Sequence, residues 1–493
     1  MHNQLLALSG WRIAEIILFL VFCLSFYPVN VEAQERPKFE KNVLVKGLKD
    51  PWSIVFGPDQ MLWLTESKTY KVLRLDPIHK KVDTVADLSR EREFPRYDNL
   101  PDSLQEGKPW PQGGLMGLAI HPEFLNDKPF IYLSMVYRYT GSHRAGDGRD
   151  PIDQGYHFKT KILRYTFSPS NNTLVDPRVI CDSIPGSNDH NGGRLLIVSQ
   201  KGQHYLFYSV GDMGAGQYSN AARSNRAQDA NSYEGKVLRF YTEADTNDSW
   251  IPQDNPFGAD NAVWSLGHRN PQGLAALVSA SETTLYSSEH GPFSDDEINI
   301  IKKGANYGHP LVIGYADGNY NGLSAGVTDA DSLPGPWNST YPLIVDEVEN
   351  AKRMGSYQDP LWSFNPTRNE ILRTIAEQLR DGGQESPQWE SIAPSGITVY
   401  DQSAIPDWNK SLLITSLKKG ILVRLKLDEE GKNVLARTDH FEGQARYRDV
   451  VVSSDGKKIY LITDLSLVTS GPTEDNPESA EDRGAVIEFQ LVD

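Results

Sequence analysis

A chain of 493 residues is long enough for two or three average domains, or for one large all-β unit. Forty Gly, thirty Pro, 22 Tyr and ten Trp suit a loop-rich β protein better than a helical one, and a mean hydropathy of -0.47 excludes a polytopic membrane protein. The formal charge of -16 repels nucleic acid and anionic lipid, so any cluster of cations stands out.

Residues 1–33 read as a secretory signal: Arg12 precedes the apolar run Ile16 to Phe26, and Val31-Glu32-Ala33 offers a small residue for cleavage before Gln34. A single membrane anchor is the alternative, and the run falls short of the ~20 residues a span needs. Export to the periplasm or the exterior follows from the signal. Cys23 lies inside it, which leaves Cys181 alone in the rest of the chain, so disulfides do not hold the fold together. Cys181 is expected to be a small buried hydrophobe.

After a polar linker to about Leu44, one pattern recurs six times: a polar or glycine-rich lead-in, an apolar strand, a turn and a second apolar strand. The units begin at Trp52, Gly114, Gly193, Gly273, Gly396 and Arg448. Their second strands end near Glu66, Ser134, Asp212, Glu289, Lys418 and Asp464. Turn signals such as Pro58-Asp59, Asn126-Asp127 and Asp455-Gly456 separate the paired strands. Repeated short strands around a channel are one solution to exposed sheet edges, so residues 34–493 are predicted to form an all-β, six-bladed β-propeller with loop and helical insertions. A pair of β-sandwiches competes, but no boundary of linker composition interrupts the repeats.

The gap from Gly308 to Ser395 is longer than a blade requires. A helix is predicted in it, with Thr367 and Glu370 as a capping box, Ile371, Leu372, Ile375 and Leu379 as one apolar face, and Gly382-Gly383 as the stop. Arg90 to Pro109 and Thr140 to Gln154 read as further loops, and Thr469 to Gly484 as a solvated loop before a last strand, Ala485 to Leu491.

In such a ring the lead-ins to the innermost strands open at one mouth of the channel. They supply Gln112, then Asp189-His190 with Arg194, then His268-Arg269-Asn270 with Gln272, then Trp389, Ser391 and Ser395, then Arg446-Tyr447-Arg448. The ends of second strands add Asp212 and Lys418. Arg269, Lys418, Arg446 and Arg448 together predict a multiply anionic ligand, because guanidinium forks bind carboxylates and repel one another without one. Against this, each cation could pair with a local acid such as Asp449 or Glu442. His190 could be a satisfied structural histidine, or a general base oriented by Asp212. The Gly291-Pro292 corner can point two successive carbonyls at a hard cation, and the acidic run Asp295 to Glu297 reads either as a second calcium site or as a solvated turn.

At these residues the chain resembles the soluble quinoprotein glucose dehydrogenases and the related aldose sugar dehydrogenases. GHRNPQGLA, GPFSDDEIN, NYGHP, SLKKG and RYRDV carry the likeness, which spans most of the chain after residue 33. The resemblance implies a six-bladed propeller using pyrroloquinoline quinone and Ca2+ to oxidise an aldose to its lactone. It makes His190 the base and Asp212 its partner, and in such a reaction Arg269 is expected to steady the developing oxyanion. It places Arg269, Asn270, Gln272, Lys418, Arg446 and Arg448 on the quinone, with Trp389 and Ser391 beside it, and Gln112, Asp189, Gln217 and Trp389 on the sugar. Gly291 and Pro292 would bind the calcium at the quinone, while Glu297, Tyr307, Ile313, Tyr315 and Asp317 match further calcium sites near a homodimer interface. The chain departs from the glucose enzymes at His290, where they have glutamine, at Tyr218, Ile313 and Ser391, and in the long insert before Trp389.

Two readings from other classes stand beside this one. A calcium-dependent propeller lactonase would use the metal to polarise an ester, and a non-catalytic propeller would bind a protein or glycan. No GxGxxG followed by a helix supports a nicotinamide enzyme.

Overall fold

In the computed structural model, residues 37–92, 111–139, 156–279, 282–382, 387–465 and 481–492 are described. The chain divides into one unit of residues 1–38 with 492–493 and another of residues 39–491, to which the sheets and helices belong. The predicted signal, and nearly all of the three polar loops, lie outside the described residues.

The strands form six four-stranded sheets. The first holds β2 (Pro51–Phe56), β3 (Leu62–Glu66), β4 (Lys71–Asp76) and β5 (Lys81–Asp87); the second β6 (Leu115–Ile120), β7 (Phe130–Val136), β8 (Phe158–Ser168) and β9 (Thr173–Gly186). The third holds β10 (Leu195–Gln200), β11 (Gln203–Val210), β12 (Lys236–Tyr241) and β13 (Val263–Leu266). The fourth is β14 (Pro271–Val278), β15 (Thr283–Glu289), β16 (Asp296–Ile301) and β17 (Trp362–Phe364), and the fifth β18 (Pro394–Tyr400), β19 (Ser411–Ser416), β20 (Leu422–Leu427) and β21 (Val434–His440). In the sixth, β22 (Tyr447–Val452), β23 (Lys458–Thr463) and β24 (Val486–Val492) take β1 (Lys38–Val45) as their outer strand, so the first and last described strands share one sheet.

The innermost strands run in sequence around a closed ring: β2 packs on β6, β6 on β10, β10 on β14, β14 on β18, β18 on β22 and β22 back on β2. This is the predicted six-bladed β-propeller, with its first two strands per blade where the apolar repeats placed them. Six apolar clusters fill the six blade interfaces. Trp63 and Leu133 meet between blades one and two, Ile184 and Leu206 between two and three, and Phe207 and Leu285 between three and four. Tyr286 and Leu412 meet between four and five, Trp408 and Leu461 between five and six, and Leu64 and Ile462 between six and one. Face-to-face burial on both sides of each sheet explains why its strands read as near-continuous apolar runs.

Glycines on the inner strands leave no room for a side chain. A Cβ on Gly273 would sit 2.4 Å from the Ser395 carbonyl oxygen, and one on Gly117 2.5 Å from that of Gly193. At the lead-in end of the first hairpin, the register slips in five blades: at Pro51/Ile54, Leu115/Leu118, Pro271/Gly273, Pro394/Ile397 and Tyr447/Asp449. Such a bulge leaves a residue unpaired and re-aims its side chain. Gln272, Ser395 and Arg448 are among the residues skipped, and all three turn towards the channel end of the ring.

The long insertion carries α1 (Glu347–Met354) and α2 (Asn369–Arg380) over a core of its own that includes Phe293, Tyr320, Trp337, Tyr341 and Leu372. The predicted capping box at α2 is not formed. Arg368 is the N-cap and makes no side-chain bond to the first turn, while Thr367, one residue outside the cap, donates its hydroxyl to the Asn365 carbonyl at 3.0 Å. Ile371 is exposed and Ala376 takes its place inward beside Leu372 and Ile375. Cys181 is half-buried rather than buried, on a β9 edge that reaches solvent, and burial of its thiol pushes its pKa up to about 12.

Candidate active site

A cavity of about 660 Å³ opens at the lead-in end of the ring. Of the lead-in residues, Gln112, Asp189, His190, Arg269, Asn270, Gln272, Trp389, Ser391, Arg446 and Arg448 line its wall, while Arg194, His268, Ser395 and Tyr447 do not; Gln217, Lys418, Gly291 and Pro292 line it as well. Asp212 stands behind His190 and is wholly buried.

His190 Nδ1 lies 2.7 Å from Asp212 Oδ1. The nearby His309 and Asn225 also reach this carboxylate, and the neighbouring imidazoles hold it well below the usual carboxylate range against the opposing effect of burial. An ionised Asp212 accepts the Nδ1 proton and leaves the Nε2 lone pair towards the cavity. There Gln217 Nε2 donates to it at 3.1 Å while also donating to Asp189 at 2.8 Å, and Gln217 Oε1 takes Arg269 at 2.9 Å. Gln112 joins the same network through its Nε2, which donates to Asp189 Oδ1 at 3.5 Å, while its Oε1 accepts from the Asn191 N–H at 2.8 Å.

The cations converge, but two of the four share an acid. Asp464 Oδ1 accepts from Arg448 Nε at 2.8 Å, and Oδ2 accepts from Arg448 at 2.6 Å and from Arg446 Nε at 3.2 Å. Asp464, at the end of a second strand as Asp212 and Lys418 are, was legible by position. The acids Asp449 and Glu442, weighed as partners, are not the ones used: Asp449 binds Arg194. Lys418 donates to the Trp389 carbonyl at 2.9 Å and stands 5.6 Å above its ring. A further cation, Lys68, escaped the sequence reading. It lines the cavity, donates to the Gly113 carbonyl at 2.8 Å, and burial pulls its pKa down to about 8.

Among the described residues, several buried polar atoms of the wall have no hydrogen-bond partner: both side-chain atoms of Asn270, Arg269 Nε and His290 Nε2. Such groups cost free energy unless a ligand satisfies them. Burial, with Arg269 next, holds His290 well below the ordinary histidine range and therefore neutral. A wall of cations, the unpaired amide of Asn270 and a Gly-Pro corner fits a planar, multiply carboxylated ligand with a hard cation beside it.

The acidic run is buried rather than a solvated turn. Asp296 Oδ1 accepts from Gly291 N at 3.0 Å, while Oδ2 accepts from Ser391 Oγ at 2.6 Å and from Ile392 N at 3.0 Å, so one buried carboxylate fixes the Gly-Pro corner and the Trp389 to Ser391 stretch together. Asp295 accepts from Ser363 and Asn319, and Glu297 from Asn299 and the Gly314 N–H. Glu297, Ile313, Tyr315 and Asp317 lie outside the cavity around one loop. The Tyr307 hydroxyl is committed to the Ile300 carbonyl and the Lys302 N–H, and its ring stacks on His268. Among the described residues no three His, Cys, Asp or Glu side chains group as a metal site.

A profile described as Glucose / Sorbosone dehydrogenase matches residues 48–345 and 342–469, nearly the whole ring. The chain belongs to the glucose/sorbosone dehydrogenase family. Among its relatives, quinoprotein glucose dehydrogenase B of Acinetobacter calcoaceticus is 33% identical over 487 residues, covering 94% of this chain and 93% of that one. Aldose sugar dehydrogenase YliI of Escherichia coli K12 is 28% identical over 436 residues, covering 86% and 90%. In fold, this family member is similar to the PQQ-bound form of an aldose sugar dehydrogenase from Streptomyces coelicolor, with a TM-score of 0.58 at 21% identity over 92% of this chain and 99% of that one.

Proposed function

We propose that this family member is an exported dehydrogenase that oxidises an aldose at its anomeric carbon to the lactone, using pyrroloquinoline quinone and Ca2+. The observation that carries the reading is the His190–Asp212 pair opening onto the same cavity as Arg269, Lys418, Arg446 and Arg448. Arg446, Arg448, Lys418 and the unpaired amide of Asn270 would hold the quinone carboxylates and carbonyls, and the Gly291 and Pro292 carbonyls the calcium. When bound, the quinone supplies a two-electron acceptor and the calcium a Lewis acid.

The chain's own residues do the rest. Asp212 fixes His190 in the tautomer with Nδ1 protonated, so Nε2 takes the proton of the anomeric hydroxyl. The hydroxyl would displace the Gln217 amide from Nε2, and Gln217, Asp189 and Gln112 would then hold the sugar. The guanidinium of Arg269, held by Gln217 Oε1 and the His290 carbonyl at 3.2 Å, would steady the oxygen that loses its proton.

The test is a titration of purified apo-protein with pyrroloquinoline quinone, with and without calcium, followed by dye reduction across a panel of aldoses. Calcium-dependent binding with sugar-dependent reduction is expected. A folded protein that binds no quinone in the presence of calcium would sink the dehydrogenase reading.

A further inference from the structure

Asp212 does more than orient one imidazole. Its Oδ1 accepts from His190 Nδ1 at 2.7 Å and from Gly214 N at 2.9 Å. Its Oδ2 accepts from His309 Nε2 at 2.7 Å, from the Tyr341 hydroxyl at 2.8 Å and from the Asn225 amide at 3.0 Å. A carboxylate offers about four lone-pair sites, so these donors saturate it and compete for its charge. Burial, and then the adjacent Asp212, push the Tyr341 phenol well above its ordinary range, so it stays protonated and donates.

Tyr341 comes from the insertion, far from the lead-ins that build the rest of the site. Its ring is seated on two glycines: a Cβ on Gly216 would lie 2.5 Å from it and one on Gly326 2.4 Å. Gly216 precedes Gln217, the residue that donates to His190 Nε2. Tyr341 therefore touches the base from both ends, through its hydroxyl on the carboxylate behind it and through its ring under the loop in front.

We propose that Tyr341 is a positioning residue that sets the strength of the base: its hydroxyl draws charge to Asp212 Oδ2, loosens the hold of Oδ1 on His190 and so favours the unprotonated imidazole. This rests on the reading of His190 as the base. The other charged and titratable groups facing His190 are Asp189, 3.6 Å from Nε2, the neutral His290, and Arg269 through Gln217. His309 shares Asp212 Oδ2 with Tyr341. Loss of one hydroxyl leaves all of these in place.

The test is Tyr341→Phe, which keeps the ring on its glycines and removes only the donor. In the apo-protein, labelled with 15N-histidine and assigned against His190→Gln, the His190 titration midpoint is expected to rise by about half a pH unit. In the loaded enzyme the acid limb of the kcat/KM profile moves the same way, with a loss of about threefold below the midpoint. Asn225→Ala, which removes another donor to the same oxygen, is expected to shift the midpoint in the same direction and serves where the phenylalanine variant fails to fold. An unchanged or lowered midpoint in a folded variant overturns the proposal, because a purely packing role predicts no shift. A wild-type protein that oxidises no aldose sinks the dehydrogenase reading instead, and the NMR midpoint still decides whether Tyr341 tunes His190.

Discussion

Arg448 Nη1 lies 2.7 Å from Gln272 Oε1, joining side chains 176 residues apart in sequence. Both are bulge residues of inner strands, in blades six and four, and the bond crosses the edge of blade five, where Ser395 Oγ also donates to Gln272 at 3.2 Å. The Arg448 fork is thus spread between Asp464 and Gln272, with one face 4.5 Å over Trp52. Lysine cannot reproduce a planar fork with several donors. Arg448→Lys is expected to weaken quinone binding by about tenfold or more, read as a shift in the calcium-supported titration midpoint. Equal affinity in the variant would remove Arg448 from the binding wall.

Asp212 does not line the cavity, and its carboxylate bears on the wall through the His190 imidazole, which separates catalysis from binding. Asp212→Asn loses the charge and the tautomer control together, and kcat is expected to fall by about a hundredfold or more. Quinone affinity should change by less than about threefold, since the residues that hold it are untouched. Steady-state kinetics beside the apo titration decides this. A variant with near-native kcat would show that His190 is not the base.

Lys68 makes the pH dependence of binding specific. Its folded pKa, about 8, lies below the ordinary lysine value because burial penalises the ammonium. Between about 8 and the unfolded value near 10.4 the unfolded chain binds the extra proton, so this group makes stability rise with pH across that window. An anionic ligand in the cavity favours the charged form, so affinity should fall as pH rises above about 8. Lys68→Met is expected to flatten both trends, seen in thermal unfolding at about pH 7 to 10 and in quinone titrations over the same range. Persistence of the affinity loss in that variant would assign it to another group.

The ring was legible because its information is local. Each inner hairpin is an apolar run with a turn in it, and burial on both sheet faces writes that run directly into the sequence. The lead-in residues were legible for the same reason, since repeat position alone places Gln112, His190, Arg269 and Arg448 at one mouth. Asp464 and Lys68 sit at the ends of second strands, a position already used for Asp212 and Lys418, and were readable by that rule. Tyr341 was not, because nothing in an irregular insertion of this length announces which side chain returns to the ring. The capping box at α2 failed because the helix starts one residue later than its pattern implies: Arg368, not Thr367, holds the N-cap position, so the Thr367 hydroxyl is out of register with the first free N–H groups.

The close approach of the inner strands gives a test of the ring itself. A Cβ on Gly273 would meet the Ser395 carbonyl oxygen at 2.4 Å and Ser288 Oγ at 2.3 Å, and Ser288 already donates to that carbonyl at 2.5 Å. Backbone on one side and a hydrogen-bonded hydroxyl on the other leave the methyl nowhere to go, so blades four and five must part. Gly273→Ala is expected to destabilise the fold by about 1–3 kcal/mol, the usual range for overpacking. Because Gln272 is the preceding residue, the same shift should move its amide away from Arg448 and weaken quinone binding. Denaturant unfolding together with the apo titration checks both, and a variant with unchanged midpoints in each would mean that the inner strands are not packed as tightly as these contacts require.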